Sequence, residues 1–165
     1  MNLEKNIIPE VDLRDLKELL GSLHRDHQQS LELCWTIREG IRQKIAPERI
    51  KNYANWYYSN ELAPYFEIEQ EYIFPILGME NELIKKALTL HRRIKKHFTK
   101  NLEIEKSLSR IEEDLEILIR FEEKYIFALI RNNMVSNQIT VSQKAFSREL
   151  NDKKWDDLFW LKKNL

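Results

Sequence analysis

A chain of 165 residues with 42% hydrophobic and 33% charged residues is long enough for one domain with a real core, and this composition excludes a disordered polymer. Lys+Arg and Asp+Glu are both 27, so no basic excess exists to neutralise phosphates, and nucleic acid is not an expected partner. Three Gly and four Pro give little punctuation, which points to long helices and an all-α protein.

The single cysteine, Cys34, excludes an intramolecular disulfide framework and fits a reducing compartment. It lies on an apolar stripe and is expected to be an inert buried thiol. No basic stretch followed by a long apolar run opens the chain, and no window approaches membrane length. A cytoplasmic protein without a membrane partner is the expectation. The basic run Arg92-Arg93-Ile94-Lys95-Lys96 reads as a solvated helix face.

Four helices follow from apolar period and breakers. The first is predicted from about Asp12 to Lys44, before Ala46-Pro47. The second starts at Pro47, well placed in a first turn, and continues to about Leu77, where Pro75 and Gly78 end it; Pro64 should kink it. The third covers Asn81 to Thr99. The fourth begins within Asn101–Glu105 and reaches about Arg131, after which Asn132, Asn133, Ser136 and Asn137 open a linker. The division is a bundle over 1–135 and a C-terminal extension over 136–165. That extension carries Phe146, Trp155, Phe159 and Trp160, and is expected to form one or two short helices packed across the bundle end.

Each helix places one His or Glu in its own apolar seam. Helix one gives Leu16, Leu20, Leu23, His27, Ser30, Cys34, Ile37 and Ile41 by steps of three and four, with His24 off the seam. Helix two gives Tyr58, Leu62, Tyr65, Glu69, Tyr72 and Ile76. Helix three gives Ile84, Ala87, His91, Ile94 and Phe98. Helix four gives Ile104, Leu108, Ile111, Leu115, Leu118, Glu122, Tyr125 and Leu129. Glu71 and Glu123 fall off these lines and are expected to be solvated.

In an up-down-up-down four-helix bundle, reflection through the turns brings His27, Glu69 and His91 to one depth; Glu122 joins them if the last turn lies near Glu105. Burying two carboxylates costs several kcal/mol each unless they are paired or bind a cation, by general solvation arguments. Imidazole and carboxylate donors on facing helices suit iron, manganese or zinc, and a bridging carboxylate suits two irons. The alternatives are a satisfied His–Glu hydrogen-bond pair without metal, or seam residues that simply reach solvent.

Tyr65-Phe66-Glu67-Ile68-Glu69-Gln70-Glu71-Tyr72-Ile73-Phe74-Pro75 resembles the His-Phe-x-x-Glu-Glu-x-x-Leu-Phe-Pro segment of hemerythrin-like (HHE cation-binding) proteins. Ile119-Arg120-Phe121-Glu122-Glu123-Lys124-Tyr125-Ile126-Phe127 is similar to their later His-Ile-Arg-Phe-Glu-Glu-x-x-Leu-Phe segment. The stretch around His27 resembles their first-helix histidine, and Leu90-His91-Arg92-Arg93 their third-helix Glu-His-Arg-Arg. The resemblance spans about residues 20–130 and implies a site for two non-haem irons in a four-helix bundle. By position it implies His27, Glu69, His91 and Glu122 as metal ligands. Two histidines of the pattern are replaced, by Tyr65 and Leu118, and Gln70 replaces the second Glu of one doublet. Leu118 cannot ligate. Tyr65 is expected to pack or hydrogen-bond, with a phenolate ligand to ferric iron as the alternative. The loss of two imidazoles leaves one metal, a labile pair or none, and weighs against reversible dioxygen carriage.

Three functions follow. The first is an iron-binding protein of this type, mono- or dinuclear, that senses or handles dioxygen, peroxide or nitric oxide. The second is a metal-free bundle acting as an interaction module through Trp155, Phe159 and Trp160. The third, a peroxidase-like enzyme, is weakest, because the sequence shows no separate acid–base pair or substrate pocket.

Overall fold

The computed structural model describes residues 13–99, 103–133 and 154–161, which contain four long helical stretches and no strand. Helix α1 is Leu13–Arg42. The second stretch, α2, begins at Pro47, whose missing N–H costs nothing in a first helical turn. It comprises Pro47–Tyr57, Ala63–Ile68 and Phe74–Leu77, joined by π-helical turns at Tyr58–Leu62 and Glu69–Ile73. Helix α3 is Glu82–Thr99, opened by Asn81, whose side-chain oxygen accepts the Leu83 N–H at 2.8 Å. The fourth, α4, comprises Ile104–Phe121, a π-helical turn at Glu122–Ile126, and Phe127–Asn133.

These bounds follow the sequence expectations with two changes. The helix continues through Asn132 and Asn133, so the linker starts later; Asp12, Asn101, Ser136, Asn137 and Phe146 lie outside the described residues. Pro75 sits inside the last turn of α2 rather than ending it. Gly78 ends it, at a φ of 88° that L side chains rarely adopt. Pro64 and Pro75 each follow a π turn closely. A proline ring collides with the carbonyl four residues back, and the widened turn, closed by Ala63 N–H to Tyr58 O and by Phe74 N–H to Glu69 O, lets the helix run on.

Helix α1 packs on α4 and α2, and α3 packs on α4, around one core. The seam residues Leu20, Leu23, Cys34, Ile37, Leu62, Tyr65, Ile84, Ala87, Ile94, Leu108, Ile111, Leu115 and Leu118 are buried as expected. Cys34 is buried and burial pushes its thiol up to about 12, so it is inert. Two expected seam residues are exposed: Ile41 and Tyr125. At Tyr125 the cause is the π turn, which adds a residue and advances the buried line to Ile126, Phe127 and Ile130. The same slip after Glu69 buries Ile73 and Phe74 in place of Tyr72 and Ile76. At the far end of α1, Gly40 takes the inward place of Ile41, under Ile50 and Phe159.

Residues 154–161 form turns, not helix, and pack on α2. Trp155 and Trp160 lie against Tyr53, with centroids 5.8 and 4.9 Å away, and Phe159 is buried. Arg49 donates to both carboxylate oxygens of Asp157, at 3.0 and 2.7 Å, and holds this segment to α2. No helix among the described residues is long and apolar enough to cross a membrane.

Candidate metal centre

His27, Glu69 and Glu122 are each 0% exposed and place one donor atom apiece within 4.8 Å of one another. This buried group can hold a metal ion. His91, 2% exposed, borders it: Nε2 lies 2.9 Å from Glu122 Oε1 and 3.5 Å from Glu69 Oε1. All four residues singled out from the seams therefore reach one depth, Glu122 included.

Glu69 and Glu122 each open a π turn. Wider turns of this kind recur at functional sites, where they re-aim a side chain without breaking the helix. In both cases the residue after the glutamate turns to support a histidine. Glu123 Oε1 accepts from His27 Nδ1 at 2.7 Å and from the exposed His24 Nδ1 at 2.8 Å. Gln70 Nε2 donates to His91 Nδ1 at 2.9 Å. Glu123 is thus half-buried against His27 and not solvated as expected; Glu71 is exposed, as expected. Phenylalanines fix both imidazole planes: Phe127 stacks on His27 at 4.7 Å and Phe66 on His91 at 3.9 Å.

The two carboxylates differ. Glu122 accepts from His27 Nε2 and His91 Nε2, both at 2.9 Å, and from the Tyr65 hydroxyl at 3.0 Å. Burial opposes its charge, but these hydrogen bonds outweigh it and hold the carboxyl well below the ordinary carboxylate range. Neither carboxylate oxygen of Glu69 has a hydrogen-bond partner. Burial first, and then the Glu122 charge, push Glu69 well above the ordinary range, so in the metal-free protein it favours the neutral acid. Burial also opposes charge on His27, yet Glu122 and Glu123 at its two nitrogens raise it to about 10.

Tyr65 is fully buried, and its hydroxyl contacts His27 Nε2 as well as Glu122. Burial, with Glu122 and Glu69 beside it, holds it as the neutral phenol. Leu118, one turn before Glu122, is also fully buried and adds only hydrocarbon. Sequence reasoning missed the roles of Glu123 and Gln70. The signal was present in the doublets Glu69-Gln70 and Glu122-Glu123, whose second members, Gln70 exposed and Glu123 half-buried, reach the outer nitrogens of His91 and His27.

The donor set fits a cation. His27, Glu69 and Glu122 converge in the buried core with His91 at their border, and neither Glu69 oxygen has a hydrogen-bond partner. No protein-family model matches the chain, and neither the curated proteins nor the solved structures provide a match.

Proposed function

We propose that the protein is a hemerythrin-like, up-down-up-down four-helix bundle that binds iron through His27, Glu69, His91 and Glu122, and that it senses or handles dioxygen, peroxide or nitric oxide. The observation that carries this reading is Glu69: a fully buried carboxyl with no hydrogen-bond partner at either oxygen, beside His27 and Glu122. A buried carboxyl in such a place ionises only at a cost of several kcal/mol as a rule of thumb and so keeps its proton, and a cation in the proton's place offsets that cost. Metal binding also gives the hydrogen bonds on the far sides of the histidines a purpose. With His27 Nε2 on the ion, Nδ1–H donates to Glu123, the arrangement that fixes ring orientation and raises ligand basicity. A ligating His91 does the same once the Gln70 amide turns its oxygen to Nδ1. Bound iron supplies a centre at which small ligands coordinate and exchange electrons.

The metal-free reading requires the interior to satisfy itself. Glu122 does satisfy both histidines, but Glu69 is left out. Part of the aromatic segment that would serve as an interaction surface is used within the chain, with Phe159 buried and the half-buried Trp155 and Trp160 against Tyr53. Metal analysis of protein purified without an affinity tag tests the proposal. Bound iron is the expected result; no bound iron, manganese or zinc, and no thermal stabilisation on adding them, would sink it.

A further inference from the structure

Tyr65 stands one helical turn before Glu69, the place that Leu118 takes before Glu122. Its hydroxyl turns into the donor cluster, touching His27 Nε2 and lying 3.0 Å from Glu122 Oε2. His27 Nε2 lies 2.9 Å from the same Glu122 oxygen, and His91 Nε2 2.9 Å from the other. Donors bound at about 2.0–2.2 Å and roughly 90° to one another stand about 3 Å apart, so the spacings of the Tyr65 hydroxyl and of His27 Nε2 from Glu122 Oε2 are those of neighbouring ligands in one coordination shell. The opposite position, Leu118, offers only buried hydrocarbon, so the cluster is lopsided and has donors for one ion.

Charge points the same way. Glu69 and Glu122 as carboxylates with Tyr65 as phenolate carry three negative charges in a site closed to water, and a trivalent ion balances them. We propose that Tyr65 supplies a phenolate oxygen as a further donor beside His27, Glu69 and Glu122, with His91 bordering them, and that the centre holds one trivalent ion, ferric iron in particular; this rests on the metal-binding reading above. The Tyr65 hydroxyl proton, the Glu69 proton and the second His27 proton leave to solvent as the bonds to the ion form, and no oxidant is needed when the ion is supplied as ferric iron.

The test loads the full chain with ferric iron and, separately, with zinc, counts the metal, and records the visible spectrum. One ferric ion per chain with a phenolate-to-iron charge-transfer band is expected, and no such band with zinc. Tyr65→Phe should still bind iron, lose the band, and lose at least about tenfold in ferric affinity, since removing an oxygen bound to the ion costs no less than removing a residue that only orients a ligand. Tyr57→Phe, at a buried tyrosine outside the centre, should keep the band. If Tyr65→Phe does not fold, resonance Raman of the wild type grown with ring-deuterated tyrosine decides, since phenolate modes must shift. Iron bound without the band, a band that survives in Tyr65→Phe, or two irons per chain overturns the inference and leaves the metal-binding reading standing. A chain that takes up no metal overturns both.

Discussion

Glu122 accepts hydrogen bonds from both buried histidines, while Glu69, whose Oε1 lies 3.5 Å from His91 Nε2, accepts none. The same residue type at equivalent places in two helices therefore has opposite energetic roles in the metal-free protein. Replacing Glu69 by Leu removes an orphaned polar group and should stabilise the metal-free fold by about 1–2 kcal/mol. Glu122→Leu leaves His27, His91 and the Tyr65 hydroxyl without their shared acceptor and should destabilise it by about 3–5 kcal/mol. Urea unfolding of both variants checks the pair; equal destabilisation would show that Glu69 is satisfied after all.

The pH dependence of the metal-free protein follows from the same asymmetry. His27 is raised from 6.5 to about 10, so its contribution is complete below pH 6.5 and is lost as pH climbs through 10. Glu69 is raised well above 4.5 and acts in the same sense, favouring the fold while it keeps its proton. Glu122 and Glu123 are lowered, so their contributions hold above 4.5 and disappear as pH falls. Stability should peak in mildly acidic solution and decline on the alkaline side. Metal displaces the extra His27 proton and the Glu69 proton, so binding should tighten with rising pH and release protons, measurable by calorimetry in buffers of different ionisation enthalpy.

Glu123 orients His27 without touching the proposed ion. Glu123→Ala should weaken metal affinity by about 10–100-fold while leaving the helical content intact. Competition with a chelator reads this directly, and an affinity equal to wild type would remove Glu123 from the account.

Gly40 tests the placement of the aromatic segment. A Cβ there would stand 2.9 Å from Ile50 Cδ1 and 2.9 Å from Phe159 Cε2, both in buried side chains. Gly40→Ala should therefore cost about 1–2 kcal/mol despite its better helix propensity. In the same helix Gly21 is open, its added Cβ meeting only Arg25 Nη1 at 3.9 Å, and Gly21→Ala should gain about 0.5–1 kcal/mol. Thermal melts of the two variants moving in opposite directions would place Phe159 over α1; parallel shifts would not.

Much of this arrangement is legible in the sequence. Helix ends are marked by Pro47, Gly78 and Asn81, and the steps of three and four single out His27, Glu69, His91 and Glu122 as inward. Tyr125, Tyr72 and Glu123 were misplaced for one reason. A constant helical period carries a residue count through a π turn as though the turn were α, and every residue beyond it then slips by one. The run Glu122, Ile126, Ile130 was available as the corrected line, but apolar residues at 125 and 129 fitted the unbroken period equally well. Ile41 was misplaced because its neighbour Gly40 faces inward only under Phe159, a contact from 119 residues further along the chain.

The central claim is that the buried cluster exists to hold a cation, and the wild type and Glu69→Leu should be melted side by side with and without added iron. A ligand at 100 times its dissociation constant stabilises the fold by about 2.7 kcal/mol, or about 2–4 °C of melting temperature per kcal/mol for a domain of this size. The account predicts a rise of several degrees in the wild type and none in Glu69→Leu, whose metal-free melt already lies above that of the metal-free wild type. A wild type that melts at the same temperature with and without iron, manganese and zinc would contradict it.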